Sequence, residues 1–253
     1  MGVITSQNTQ HGGKVMTLGI LQCDHVQAIL QPEFGDYPAM FEALFQLTDE
    51  AVNIRFYPVI DGQFPQHIEE CDAYICSGSK LGVNDEQPWI RQLEVFIRTL
   101  YTEGKGLVGI CFGHQLIAKA LGGEVERSPR GWGVGVAQSR CLLEQDWMQP
   151  KQDHIALVVC HQDQVCKLPL GSQVLVSNEF CPYSMFQVDS HFLGMQGHPE
   201  FSTQFSSAIM ALRRDKIPAD TINTAMTSLS KEADDKLVTL WILAFLRQTM
   251  AVN

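Results

Sequence analysis

Cys111 stands in the run Gly109-Ile110-Cys111-Phe112-Gly113-His114-Gln115, and much later the chain reads Gln196-Gly197-His198-Pro199-Glu200. A thiol at a strand-to-helix turn, with a distant imidazole and a carboxylate two residues past it, supplies a nucleophile, a base and an orienting group for acyl transfer. An arbitrary cysteine in an apolar chain is a small buried hydrophobe. Cys111 departs from that default through its neighbours: Gly109 and Gly113 flank it at i−2 and i+2, where a side chain would obstruct a tight turn. The free N–H groups and positive dipole end of a helix starting there favour a thiolate. His198 and Glu200 project from one face of an extended backbone, and Pro199 keeps His198 extended.

The hydropathy pattern supplies elements that can hold these groups. Thr17 to Leu21, Ile54 to Ile60, Ala73 to Cys76 and Leu107 to Ile110 are short apolar runs suited to buried strands. Met40, Phe41, Leu44 and Phe45, entered through Pro38, predict one covering helix; Trp89, Ile90, Leu93, Phe96, Ile97 and Leu100 predict a second, opened by Asp85 and Glu86. A helix over Gln115 to Leu121 continues from the Cys111 turn and ends at Gly122-Gly123. The later half is richer in strands: Trp132 to Ala137, Ile155 to Cys160, Gln173 to Val176, Met185 to Val188 and Phe192 to Gln196. Trp132, among Gly131, Gly133 and Gly135, reads as a core residue of a bent strand. Phe201, Phe205, Ile209 and Leu212 share one helical face, and Leu237 to Leu246 is apolar nearly all round, so residues 201–253 form a buried helical tail. The expected fold class is α/β, with a mainly parallel central sheet and an antiparallel extension. Residues 1–16, polar and glycine-rich, read as a loose leader before a single domain over 17–253.

Composition removes several function classes. Asp plus Glu is 28 against 18 for Lys plus Arg, a formal net charge of −10, and no dense basic stretch offers a footprint for nucleic acid. The eight cysteines are dispersed without a repeated C-x₂-C spacing and read as reduced thiols of a cytoplasmic protein, with no metal site. Cys160 and His161 are adjacent and lack a second ligand pair. The longest apolar stretch is about half of the roughly 20 residues that a membrane span requires, so no membrane is expected.

The two motifs together resemble those of the class I glutamine amidotransferases, and most of all the glutaminase part of GMP synthetase and its stand-alone relatives. Gly109, Cys111, Gly113 and Gln115 match the G-x-C-x-G-x-Q elbow, and His198, Pro199 and Glu200 match H-P-E. The resemblance covers roughly residues 17 to 200 and implies a flavodoxin-like three-layer sandwich. It implies Cys111, His198 and Glu200 as the catalytic triad. The oxyanion loop of the family, usually Gly-Gly, appears as Ser77-Gly78-Ser79, so the backbone N–H groups of Ser79 and Phe112 are the expected oxyanion donors. A side chain at position 79 limits the peptide flip that some relatives use for control. Gly78, Gln115 and the loop residues His161, Gln162 and Asp163 are the implied substrate contacts. His114 reads as packed or capping rather than catalytic.

The implied reaction is attack by Cys111 on a γ-glutamyl amide, through a thioester, releasing glutamate and ammonia or an amine, with no cofactor. The 53 residues after Glu200 are too few for an ATP-dependent synthase, and no G-x-x-x-x-G-K-[ST] loop occurs. Ammonia would therefore pass to a separate synthase subunit, or the protein acts as a free hydrolase; a homodimer is compatible with either. Glutamine is the first substrate reading and γ-glutamyl peptides or conjugates the alternative. A binding or regulatory module without catalysis is the reading from another class, and a cysteine redox sensor a further one.

Overall fold

The structure, a computed structural model, describes residues 15–252. Most of the expected leader thus lies outside the described residues, and Met16 is already buried in the first strand. In chain order the elements are β1 Met16–Leu21, α1 Gln31–Phe34, α2 Tyr37–Gln46, β2 Val52–Tyr57, β3 Ala73–Cys76, α3 Pro88–Thr102, β4 Leu107–Ile110, α4 Phe112–Ala120, β5 Glu124–Arg127 and β6 Gly133–Cys141. There follow β7 His154–His161, β8 Asp163–Lys167, β9 Ser172–Ser177, β10 Met185–Val188, β11 Phe192–Met195, α5 Thr203–Leu212, α6 Ala219–Ser228 and α7 Asp235–Val252.

Nine strands form one sheet in the order β2-β1-β3-β4-β11-β10-β9-β6-β7. The first five run parallel and the last four add on antiparallel. The strands β3, β4 and β11 are buried at every position, as parallel strands covered on both faces must be. One layer, with Phe41 of α2, Phe205 of α5 and Trp241 of α7, covers one face; the other, with Leu93 of α3 and Leu116 of α4, covers the opposite face. This is the expected α/β three-layer arrangement with an antiparallel extension and a helical tail.

Several local features depart from the sequence reading; the run Ile54 to Ile60 is a strand only as far as Tyr57, with Val59–Asp61 in a 3-10 turn. The small sheet β5-β8 is unanticipated, because Glu124-Val125-Glu126-Arg127 buries one side chain and exposes three. His161 to Gln164, expected as a loop, is a strand-to-strand turn in which Gln162 alone separates β7 from β8. Asp85 and Glu86 lie ahead of α3, which Pro88 opens; Asp85 instead accepts from the Gly82 N–H at 3.0 Å.

Candidate active site

β4 ends at Ile110 and α4 begins at Phe112, leaving Cys111 alone to make the turn with φ 51° and ψ −97°. A non-glycine residue at positive φ is strained, and such strain persists only where the surroundings enforce it. Here the enforcement is visible: the Cys111 N–H donates to Met195 O at 2.8 Å, and its carbonyl accepts from Gln115 N–H at 3.0 Å. A Cβ on Gly109 would lie 2.5 Å from the carbonyl of Gly113, and one on Gly113 would run into the carbonyl of Cys76. Both flanking glycines are therefore steric requirements of the elbow.

The strand β11 lies beside β4, with Met195 opposite Ile110. Beyond it the His198 N–H donates to Val158 O of β7 at 2.8 Å, which fixes the imidazole's backbone across the top of the sheet. The His198 Nδ1–H donates to Glu200 Oε1 at 2.7 Å, and both side chains are buried. That bond leaves Nε2 as the nitrogen open to a further partner. Burial pushes the His198 pKa down, but the charges of Glu200 and Cys111 and the hydrogen bonds to them outweigh it and hold the imidazole well above its ordinary value. Phe201 stacks on the ring, centroids 4.0 Å apart and planes within 4°. The position that a Cβ on Gly78 would take is 2.7 Å from His198 Cε1 and 3.7 Å from Cys111 Cβ, so glycine at 78 keeps the space between base and thiol clear.

The loop after β3 carries Ser79 to the same cleft. Asp24, buried at the end of β1, accepts from the Lys80 N–H and from Lys80 Nζ, each at 2.7 Å, and Ser79 Oγ accepts from the Leu81 N–H at 3.2 Å. Among the described residues neither the Ser79 nor the Phe112 N–H has a backbone acceptor. Across the cleft, Gln115 Nε2 donates to Asp163 O at 2.8 Å and to Gln196 Oε1 at 3.1 Å, and His161 Nδ1 donates to the same Asp163 carbonyl at 3.1 Å. Burial lowers the His161 pKa to about 4, so the ring is neutral near pH 7. Gln115 and His161 thus brace the 161–163 turn, while Gln162 lines the cleft beside them.

This cleft, about 590 Å³, brings Cys111, Phe112, Ser79, Gln115, His161 and Asp163 together. Gly78 lies against both Cys111 and His198, the imidazole lining a smaller crevice that shares Ser79, Cys160 and Arg213 with this cleft. Behind the wall made by Trp132 and His161 is a second, mostly apolar cavity of about 490 Å³ between α6 and the antiparallel strands. Trp132 is half-buried in that wall rather than in the core, and the Arg213 guanidinium lies 5.9 Å over its ring. His114 is packed, its ring 4.8 Å from that of Phe186, and burial pulls its pKa to about 3. Phe201 is likewise not on a helix: Ser202 caps α5, accepting from Phe205 N–H at 3.1 Å, and Leu212 is exposed.

Asp24, Phe201 and Arg213 lie at the candidate site, where sequence reasoning did not place them. Phe201 alone carried a signal, as the first large apolar residue after His-Pro-Glu. Arg213 reaches the cleft, and Asp24 the adjoining smaller crevice that also holds His198 and Phe201, only through the tertiary fold.

Residues 47–213 match the family glutamine amidotransferase class-I. The chain belongs to that family. It is 30% identical over 213 residues to γ-glutamyl peptidase 4 of Arabidopsis thaliana, covering 80% of this chain and 84% of that protein. It is 29% identical over 156 residues to the glutamine-hydrolysing GMP synthase of Aeropyrum pernix, which spans 58% of this chain and 30% of that one. The crystal structure of a glutamine amidotransferase from Thermotoga maritima superposes with a TM-score of 0.71 over 94% of this chain and 99% of the other, at 20% identity, a likeness of fold.

Proposed function

We propose that the protein is a cysteine hydrolase of γ-glutamyl amide bonds, with Cys111 as nucleophile, His198 as acid and base, and Glu200 as the group that orients the imidazole. The observation that carries the reading is the buried 2.7 Å His198–Glu200 pair beside a cysteine held at φ 51° at the head of α4. The Cys111 thiolate attacks the γ-carbonyl carbon, and its electron pair forms the C–S bond while the carbonyl π pair moves to oxygen. The N–H groups of Ser79 and Phe112 receive that oxyanion. Collapse breaks the C–N bond, and His198 gives its Nε2 proton to the leaving nitrogen. Water then attacks the thioester, His198 takes the water's proton, and the C–S bond breaks to return the thiolate and free glutamate.

Sequence alone put glutamine first. The relationship to a γ-glutamyl peptidase over most of both chains supports γ-glutamyl peptides as the substrate class. The second reading, glutamine hydrolysis coupled to a separate synthase subunit, draws its support from the GMP synthase similarity. All eight cysteines are free, which suits a reducing, cytoplasmic setting, and no described helix is long and apolar enough to cross a membrane.

The experiment is glutamate release from a panel of γ-glutamyl dipeptides and glutamine, for wild type and Cys111→Ala. Turnover of the dipeptides that disappears in Cys111→Ala is the expected result. Retained activity in Cys111→Ala overturns the role of the thiol. Rapid hydrolysis of glutamine with none of the dipeptides overturns the peptide reading in favour of the second.

A further inference from the structure

We propose that Arg213 binds the carboxylate of the amino acid released from a γ-glutamyl dipeptide, and so makes a free carboxylate beside the leaving nitrogen a specificity determinant. This rests on the peptide reading of the site. Arg213 follows α5, in the tail beyond His-Pro-Glu, and its Nη1 donates to Cys160 Sγ at 3.1 Å. It lines the cleft that contains Cys111 and also the smaller crevice that contains His198 and Phe201. The guanidinium therefore stands at the junction of the two, on the imidazole side of the thiol.

The charges around it are unevenly committed. Lys80 pairs with Asp24 at 2.7 Å, and Arg127 lies 3.8 Å from Asp163. Among the described residues Arg213 has no carboxylate within ion-pair distance, and its recorded side-chain partners are a thiol sulfur and the face of Trp132. Sulfur is a weak acceptor, so a half-buried guanidinium in this position keeps most of its hydrogen-bonding capacity for a ligand. Its planar fork matches a carboxylate, and its stacking on Trp132 restrains it before the ligand arrives.

Reaction chemistry places that carboxylate. His198 must reach the leaving nitrogen, so whatever is bonded to that nitrogen lies on the imidazole side. In a γ-glutamyl dipeptide this is an α-carbon bearing a free carboxylate; in a longer γ-glutamyl peptide that carboxyl is an amide, and in glutamine the nitrogen carries hydrogen alone, with nothing for Arg213 to hold.

The test compares kcat/KM for γ-glutamylalanine and for the same dipeptide with its C-terminus amidated, in wild type, R213Q and R213K. Wild type is expected to prefer the free acid by at least about ten-fold. In R213Q that preference falls to near one, mainly through KM for the acid, and R213K restores part of it. Binding of both peptides to Cys111→Ala protein, measured by calorimetry, should show the same acid preference without requiring turnover or the Arg213 variants. Equal use of acid and amide by wild type, or a preference that survives R213Q, overturns the role of Arg213 while leaving peptide hydrolysis intact. Hydrolysis of glutamine with neither peptide cleaved or bound removes the peptide reading itself, and this proposal with it.

Discussion

The strands β2, β1, β3, β4 and β11 run parallel under helices on both faces, whereas β10, β9, β6 and β7 run antiparallel and leave an apolar cavity of about 490 Å³ beneath α6. The proposed nucleophile and base both leave from the ends of parallel strands, on short turns fixed by backbone hydrogen bonds. The rest of the cleft wall comes mainly from the extension and the tail: the 161–163 turn, Trp132 just before β6, and Arg213 after α5. On the proposed function the two halves divide the work: a close-packed half would align bond-making atoms, and a looser half would decide which molecule reaches them.

That division can be broken most directly at Cys111. Cys111→Ala should lower kcat/KM by at least about 10⁴-fold with little change in thermal unfolding, because the reaction loses its nucleophile and the fold loses one sulfur. Glu200→Gln comes next, with an expected loss of about 10²- to 10³-fold as the tautomer and orientation of His198 are released. Its pH profile is the sharper readout. The raised pKa of His198 keeps the proton needed by the leaving nitrogen through neutral pH, so wild-type activity should decline on the alkaline side as that proton is lost. Removing the carboxylate charge moves this alkaline limb toward neutrality; an unmoved limb would show that another group sets it. Gly78→Ala places a methyl 2.7 Å from His198 Cε1, and about a 10- to 10²-fold loss of kcat is expected with the fold intact by circular dichroism.

The smallest effect lies on the tail side. Burial, then the negative charges of Glu200 and Asp234, raise the Asp235 pKa to about 7. An acid whose folded pKa exceeds its unfolded value binds its proton more tightly when folded. Its contribution is therefore most favourable below about pH 4 and is lost as pH rises toward 7. Asp235→Asn should raise stability by on the order of 1 kcal/mol at pH 8, after allowance for solvent screening, and the gain should vanish near pH 4. Chemical denaturation at the two pH values measures it.

Strands of both halves were legible in the sequence: Ile155 to Cys160, Gln173 to Val176 and Met185 to Val188 became β7, β9 and β10 within one residue at each end, whereas the run Ile54 to Ile60 became β2, which ends at Tyr57. Thr17 to Leu21, Ala73 to Cys76 and Leu107 to Ile110 are apolar runs between turn residues, and all became strands within one residue of those limits. Gly109 and Gly113 were readable as steric necessities because the obstructing atoms lie within four residues or in an adjacent strand. The small β5-β8 sheet and the placing of Trp132 were hidden for physical reasons. β5 has one buried side chain in four, too few for a period to emerge, and β8 starts with residues whose polarity reads as a loop. Trp132 looked like core because large aromatics beside glycines usually pack inward, but here Gly135, at φ 90°, lets α6 approach while the indole remains at the wall. Asp24 clamps Lys80 across 56 residues of chain, a relation that no local pattern encodes.

The rung from the Cys111 amide to the Met195 carbonyl has a consequence for control. Thiol and imidazole leave from adjacent strands at the centre of the sheet, so separating them would mean tearing the molecule along its most deeply covered seam. Drawing the backbone of Cys111 away from that of the imidazole is therefore costly. If the proposed chemistry holds, a brake on turnover is more readily placed on the loop at Ser79 or at the mouth of the cleft.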